Sequence, residues 1–280
     1  MNPLHLILLA IVQGAAELLP VSSSAHVIVA EKLLGLDPTT PAMTLLLVML
    51  HTGTMCAVIV YFWQAWRETY FSSMQAFRTH SLHLIAATAV TGLVGLTLQS
   101  LIQHILVPPG SHFEIESLFG NARLMAAALA SAGVLILISS RLRARNGIPR
   151  LSSALLVGAV QGLCLPFRGF SRSGATISAG LLLGLSRRKA EEFSFALAVV
   201  LTPVVIIREL HRFLKAQAAS QSLAHESLLH LLSPSLIGML LSFLTGLVAL
   251  RWLSRWLEQG RWYLFGGYCL VASLVVLWVG

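Results

Sequence analysis

Charged residues are scarce in this chain of 280 residues. Only 11% are Asp, Glu, Lys or Arg, whereas 56% are hydrophobic and the mean hydropathy is +0.80. Soluble domains carry about 25% charged residues, so this composition excludes that class of protein. The sequence therefore predicts an integral membrane protein in contact with the lipid bilayer.

Cysteine is also scarce. Cys56, Cys164 and Cys269 lie far apart in apolar sequence, which favours buried thiols over a disulfide framework or a metal cluster. A clustered basic face is lacking too, because the net charge of +8 arises from short stretches between apolar runs, such as Arg141 to Arg150. Loop arginines of this kind orient a membrane protein, so we expect no nucleic-acid partner.

Six apolar runs are long enough, or nearly so, to cross about 30 Å of hydrocarbon as helices. They are Thr44 to Trp63, His83 to Leu106, Ala122 to Ser140, Phe193 to Ile207, Ser235 to Leu253 and Trp262 to Val279. The predicted fold is an all-α integral membrane protein with about six transmembrane helices.

Four further apolar pieces are too short to span alone, and they come in two pairs. The pieces are Leu4 to Leu19, Ala25 to Leu36, Leu151 to Leu165 and Ala175 to Leu185. Pro20 and Pro166 are predicted to end the first helix of each pair. We expect each pair to be a re-entrant helical hairpin, because irregular backbone is tolerated at membrane depth only inside protein or beside water. One kinked spanning helix per pair is the alternative.

Each pair is joined by a polar segment, and the two segments resemble each other. The first reads QGAAELLPVSSSAH (13–26) and the second reads QGLCLPFRGFSRSGAT (161–176). Polar and charged groups at membrane depth cost about 2.5–3.5 kcal/mol each on insertion scales and usually mark a substrate or ion site. The duplication therefore predicts two related half-sites.

The chain divides near Pro149 into a first repeat, 1–149, and a second repeat, 150–280, each with a re-entrant pair and three spans. An odd number of spans inverts the second repeat, which in transporters places the binding site at the repeat interface. Four arginines (141, 143, 145 and 150) predict a cytoplasmic loop, whereas Glu114 and Glu116 lie in a loop with no Lys or Arg. The first hairpin then opens to the outside.

The polar segments carry the groups that bind an anion. Gln13 and Glu17 are four residues apart and share a helix face. Serines at the starts of two helices can cap them and, with Arg172, can hold phosphate oxygens. Glu17 would repel phosphate unless it holds a divalent metal or acts as a base, and His26 can exchange protons. The alternative is that these serines only cap helices and that His26 only packs.

These residues resemble the undecaprenyl-diphosphate phosphatases linked to bacitracin resistance. The pattern (E/Q)GxTEFLPVSS(S/T)GH is similar to 13–26, and PGxSRSGxT is similar to 169–176. Similarity continues at 50–62 (LHTGTMCAVIVYF) and 186–198 (SRRKAEEFSFALA), so it covers nearly the whole chain. The resemblance implies removal of the terminal phosphate from a C55 isoprenoid diphosphate, usually with Mg²⁺ or Ca²⁺, on the outer side of the bacterial inner membrane.

The resemblance also implies the site residues. The catalytic residues would be Glu17, Ser23, His26 and Arg172. The substrate-binding residues would be Gln13, Ser22, Ser24, Ser171, Ser173 and Thr176. Glu17 would also hold the metal. We interpret His51, near the outer end of a span, as packing or supporting the site rather than acting directly.

Three positions depart from the family pattern: Ala16 replaces threonine, Ala25 replaces glycine and Arg168 replaces proline. A polyprenyl-phosphate transporter or flippase is a second possible function, because inverted repeats with broken helices are typical of transporters. The acid and the imidazole favour the enzyme, since simple phosphate binding needs neither. Glycines at 92–95 and 238–246 would allow close helix contact within one subunit or in a homodimer.

Overall fold

A computed structural model describes residues 2–37, 40–106, 121–142, 145–167, 169–219 and 228–279. Ten helices occur within these ranges. They are α1 (Pro3–Leu18), α2 (Ser23–Leu34), α3 (Pro41–Tyr70), α4 (Met74–Leu106), α5 (Ala122–Ser140), α6 (Leu151–Cys164), α7 (Arg172–Leu182), α8 (Arg187–Ala219), α9 (Leu228–Glu258) and α10 (Trp262–Val279).

Six of these helices are long and apolar enough to cross a membrane. The candidate spans are Ala42–Tyr70, Met74–Ile105, Ala122–Ser140, Arg187–His211, Leu232–Glu258 and Trp262–Val279. Five contain one of the six apolar runs completely and Met74–Ile105 contains all but the last residue of the sixth, so the prediction of an all-α membrane fold with about six spans is confirmed. Their ends extend beyond several of the runs because a helix continues through polar flanking residues once it has formed.

The four shorter helices form two pairs, α1 with α2 and α6 with α7. Helix α1 ends at Leu18 and α6 ends at Cys164, each two residues before a proline. Proline lacks the backbone N–H that continues a helix, which explains both ends. The re-entrant placement of the two pairs stays a prediction.

The short helices pack crosswise between the two halves of the chain. Helix α1 packs on α9, and α6 packs on α4. Close approach needs glycine in both contacts: a Cβ at Gly14 would lie 2.8 Å from the Ser242 carbonyl oxygen, and one at Gly162 would lie 2.8 Å from that of Thr91. Two inverted repeats would produce such crossed packing, and the division at Pro149 stays a prediction.

The two polar segments are brought together in the interior by this packing. The largest apolar cluster joins Leu18 and Leu19 from the end of α1 to Leu129 of α5 and Leu250 of α9. Helix α7 packs on α5, α6 and α8. The acidic loop with Glu114 and Glu116, and Arg143 of the basic loop, lie outside the described residues.

Candidate active site

The two polar segments meet around a cavity of about 280 Å³. Three hydrogen bonds join them in the described residues: the Gly169 amide donates to Ser24 Oγ at 3.3 Å, Ser173 Oγ donates to the Leu19 carbonyl at 3.3 Å, and Arg172 donates to Glu17 at 2.9 Å. The lining residues are Ala16, Glu17, Ser22, Ser23, Ser24, His51, Cys164, Leu165, Phe167, Phe170, Ser171, Arg172 and Ser173. Both halves of the chain therefore contribute to one site.

The Glu17 carboxylate is the centre of the polar contacts. Ser23 Oγ donates to Oε2 at 2.6 Å, and Gln13 Nε2 donates to the same oxygen at 3.2 Å. Nη2 of Arg172 donates to Oε1 at 2.9 Å. Opposite charge and hydrogen bonds favour the ionised carboxylate at this depth. The 2.6 Å contact gives the Ser23 hydroxyl a proton acceptor.

Ser23 begins α2 directly after a residue with unusual backbone geometry. Ser22 has φ +68°, and no other non-glycine residue has positive φ in the described ranges. Such a conformation is costly for a residue with a Cβ and tends to persist at functional sites. Ser22 occupies the N-cap position, but its side chain makes no capping hydrogen bond and instead contacts Ser24 Oγ at 3.3 Å. We expected the serines at 22–24 to cap this helix, and Ser22 does occupy the N-cap position, although not through its side chain.

The second half-site has more regular geometry. Ser171 is the N-cap of α7, and its Oγ accepts a hydrogen bond from the Gly174 amide at 3.2 Å. Arg172 is the first residue of this helix, so its guanidinium lies beside the positive end of the helix dipole. Only Nη2 of Arg172 contacts Glu17, and the remaining guanidinium donors are available to an anion in the cavity.

Seven of the ten predicted site residues line the cavity: Glu17, Ser22, Ser23, Ser24, Ser171, Arg172 and Ser173. Gln13 is buried behind Glu17 and reaches the cavity only through that carboxylate. Thr176 is also buried behind the lining, where its hydroxyl donates to the Arg172 carbonyl at 2.8 Å and contacts Ser194 Oγ. Thr176 is therefore placed to hold the first turn of α7. The roles of all ten residues stay predictions.

His26 does not line the cavity, although it was expected beside the serines. Its Nδ1 donates to the Ser22 carbonyl at 2.8 Å, and its Nε2 lies 2.6 Å from the hydroxyl oxygen of Tyr268 on α10. The two rings stack with centroids 5.6 Å apart. Both ring nitrogens therefore already have partners. Nothing in the sequence around Tyr268 indicated this contact, because the two residues are 242 positions apart.

His51 takes the place that we expected for His26. Its Nδ1 donates to the Leu47 carbonyl at 2.8 Å, which directs Nε2 towards Glu17 Oε2, 3.7 Å away. The side chain is 33% exposed and lines the cavity. We had interpreted His51 as packing or support, whereas the structure places it in direct reach of the site. The run His-Thr-Gly-Thr inside an apolar span was the signal available in the sequence.

A metal cage formed by the protein alone is not found in the described part of the chain. No group of three His, Cys, Asp or Glu side chains there is close enough to share an ion. Glu17 is the one carboxylate among the cavity-lining residues. Mg²⁺ is commonly bound by one or two carboxylates together with substrate phosphates. The residues therefore fit a cation that Glu17 shares with a bound diphosphate.

Arg168, our third departure from the family pattern, lies outside the described residues.

Fold and site together define an all-helical integral membrane protein with a polar cavity between the tips of two helical pairs. The family model described as bacitracin resistance protein BacA matches residues 6–275, and the chain belongs to this family.

Curated relatives match over nearly their whole length. Undecaprenyl-diphosphatase 2 of Acinetobacter baylyi is 65% identical over 278 residues, which cover 99% of this chain and 98% of that protein. Undecaprenyl-diphosphatase 1 of Burkholderia pseudomallei is 35% identical over 97% of this chain and 95% of its own. Undecaprenyl-diphosphatase of Rhodopirellula baltica is 31% identical over 98% and 96%.

Proposed function

We propose that this chain is an undecaprenyl-diphosphate phosphatase, an integral membrane hydrolase that converts undecaprenyl diphosphate to undecaprenyl phosphate and inorganic phosphate. The observation that carries the proposal is the chain of contacts from Ser23 to Glu17 to Arg172 inside the cavity. It combines a nucleophile, a proton acceptor and a phosphate-binding cation. The full-length relatives named as undecaprenyl-diphosphatases support it.

In the proposed reaction, Ser23 Oγ attacks the terminal phosphorus while its proton passes to Glu17 Oε2, 2.6 Å away. The bond between that phosphorus and the bridging oxygen breaks, and undecaprenyl phosphate leaves with the bridging oxygen. Water then hydrolyses the phosphoserine and releases inorganic phosphate. Direct attack by water, with Glu17 as the base, is the alternative within the same site.

Charge in the transition state is stabilised from both half-sites. Arg172 offers a planar guanidinium fork to the phosphoryl oxygens, and the starts of α2 and α7 both border the same cavity. The polyprenyl tail needs an apolar path from the cavity. Leu165, Phe167 and Phe170 form an apolar wall on the side of the second polar segment.

A divalent cation would be held by Glu17 together with the diphosphate oxygens, and it would neutralise charge on the transferred phosphoryl group. This is the arrangement that the donor set of the cavity supports. In the absence of a cation, Arg172 already neutralises one oxygen of Glu17.

Localisation and partners belong to the same proposal. The relatives come from bacteria, and we place the protein in the bacterial inner membrane with the cavity facing the outside. The diphosphate lipid is the substrate, and a homodimer stays a prediction.

A flippase of polyprenyl phosphate is the second candidate, since crossed packing of the halves is typical of transporters. It gives no purpose to the hydrogen bond between Ser23 and Glu17.

The deciding experiment measures phosphate release from a polyprenyl diphosphate by the purified full-length protein, with and without a chelator. We expect release by the wild type and a loss of about 10²-fold or more in Ser23→Ala, the scale of proton-transfer catalysis. Ser131→Ala is the matched control, because that hydroxyl is exposed on α5 and bonds only to its own helix. Binding of the lipid without phosphate release would instead support the flippase.

A further inference from the structure

A second cleft lies at the far end of α7, roughly 16 Å along the helix axis from Arg172. The room inside it for a water-sized molecule is only about 10 Å³, and most of the roughly 340 Å³ between its walls is open to solvent, so a ligand would bind at its mouth. The lining residues are Ser139, Ser140, Leu142, Arg145, Leu181, Leu185, Arg187, Leu257, Gly260 and Trp262. None of them lines the catalytic cavity, so this is a separate site.

Two arginines with no acidic partner dominate this cleft. Within the described residues, neither Arg145 nor Arg187 forms an ion pair. Glu258 is nearby, but Arg187 contacts its backbone: Nη1 donates to the Glu258 carbonyl at 2.8 Å. The cleft thus combines two positive charges with no carboxylate among its lining residues.

Both arginines lie against the surrounding backbone. The segment that carries Arg145 is fixed to the loop between α7 and α8, because the Ser186 amide donates to the Gly147 carbonyl at 2.9 Å. Nη1 of Arg145 lies over Gly184: a Cβ added to Gly184 would be 3.2 Å from this nitrogen. In the same way, a Cβ added to Gly260 would be 3.2 Å from Nη2 of Arg187. Gly184 and Gly260 have positive φ, so a side chain at either position would be strained and would lie tightly against a guanidinium.

The cleft is bordered by a buried tryptophan and by two helix N-termini. Trp262 is buried, and its indole N–H donates to Ser139 Oγ at 3.0 Å. Helix α8 begins at Arg187 and α10 begins at Trp262, so two helix N-termini border the cleft. Positive helix ends and unpaired guanidiniums together favour an anion.

The cleft borders one copy of a short sequence repeat. The sequence Leu-Leu-Gly-Leu occurs at 33–36 and again at 182–185, in equivalent places after α2 and α7. The first copy is followed by Asp37, whereas the second is followed by Ser186 and then Arg187. The second copy is the one that borders the basic cleft, through Leu185 and the Arg187 that follows it.

We propose that the cleft between Arg145 and Arg187 binds a phosphate group with net negative charge, such as the head group of an anionic phospholipid at the membrane surface. Basic clefts between transmembrane helices suit such head groups. The proposal does not depend on the proposed function, because the cleft shares no residue with the catalytic cavity.

The test is the thermal unfolding midpoint of the full-length protein in detergent. Phosphatidylglycerol, phosphatidylcholine or inorganic phosphate is added separately. Wild type is compared with Arg145→Gln and Arg187→Gln. Arg255→Gln is the matched control, because Arg255 is exposed on α9 and does not line the cleft. The catalytic cavity is intact in all four proteins, so any stabilisation through that cavity is common to them.

We expect phosphatidylglycerol to raise the midpoint of the wild type and of Arg255→Gln by about 3 °C or more. The shift should fall by at least half in Arg145→Gln and Arg187→Gln, and phosphatidylcholine should give none. A cleft-dependent shift with inorganic phosphate alone would support the site and identify a free anion as its ligand. Equal shifts in all four proteins with every additive would overturn the proposal. Arg145→Gln keeps it testable if Arg187→Gln fails to fold, since Arg145 donates no hydrogen bond to α9.

Discussion

Arg172 and Glu17 are 155 positions apart in the chain, yet Nη2 of Arg172 lies 2.9 Å from Oε1 of Glu17. Each belongs to a different polar segment, and each side chain is largely buried. Breaking a buried ion pair by removing one partner leaves an uncompensated charge, so this contact ties the two half-sites together. Because Arg172 bonds to Oε1, the second carboxylate oxygen, Oε2, is free to accept the hydrogen bond from Ser23.

Glu17→Gln tests the proton acceptor. The amide keeps the size of the side chain but cannot take the Ser23 proton, so phosphate release should fall by about 10²-fold or more. The assay is release from a polyprenyl diphosphate at saturating lipid. Glu68→Gln, an exposed residue on α3, should leave the rate unchanged. Activity of Glu17→Gln within twofold of wild type would remove Glu17 from the mechanism.

Arg172→Lys tests the guanidinium fork. Lysine keeps the charge but loses the bidentate geometry, so kcat should fall by about 10²-fold while the protein still folds. The matched control is Arg123→Lys, because Arg123 is exposed on α5. If lysine supported full activity at position 172, phosphate recognition by this side chain would need only a positive charge.

Local patterns were sufficient to predict the helices and the pairing of Gln13 with Glu17. The length of an apolar run indicates whether a helix can span the membrane. Residues four apart on a helix are neighbours regardless of how the rest of the chain folds. Local patterns could not predict where the side chains of His26 and His51 lie. His26 is held by Tyr268 on α10, and His51 approaches Glu17 from α3, so both depend on how distant helices pack. Thr176 resembles the family motif, but it turns inward to Ser194.

His51→Ala tests the contact that the structure added to the site. Removing an imidazole that lies 3.7 Å from the carboxylate should lower phosphate release by about 10-fold or more, the scale of a modest electrostatic interaction in a partly buried site. His104→Ala is the control, because His104 is exposed near the end of α4. The double variant with Glu17→Gln should lose less than the product of the two single losses. Multiplicative losses would show that His51 acts independently of Glu17.

Ser22→Gly tests the strained backbone before Ser23. Glycine tolerates φ +68° without cost, so the thermal midpoint should stay level or rise by up to about 4 °C. Ser24→Gly is the comparison, because it places glycine inside the first turn of α2 and removes the contact with the Gly169 amide. We expect that variant to melt about 2–4 °C lower. Equal losses in both would mean that Ser22 carries no strain.

Topology is tested by thiol labelling in sealed spheroplasts. Asp37→Cys lies just after α2, and Asn146→Cys lies in the arginine-rich loop; both positions are exposed. Arginine-rich short loops stay in the cytoplasm, and an odd span count then fixes the other loops. A membrane-impermeant reagent should therefore label Asp37→Cys in sealed cells and Asn146→Cys only after the membrane is opened.

The labelling experiment uses a Cys56→Ala background, since Cys164 and Cys269 are buried. Labelling of Asn146→Cys but not Asp37→Cys in sealed cells would invert the orientation and turn the Ser23 and Glu17 pair towards the cytoplasm. A phosphatase that acts on lipid released at the outer face needs the opposite orientation. The inverted result would leave transport as the better account of two half-sites meeting at one cavity.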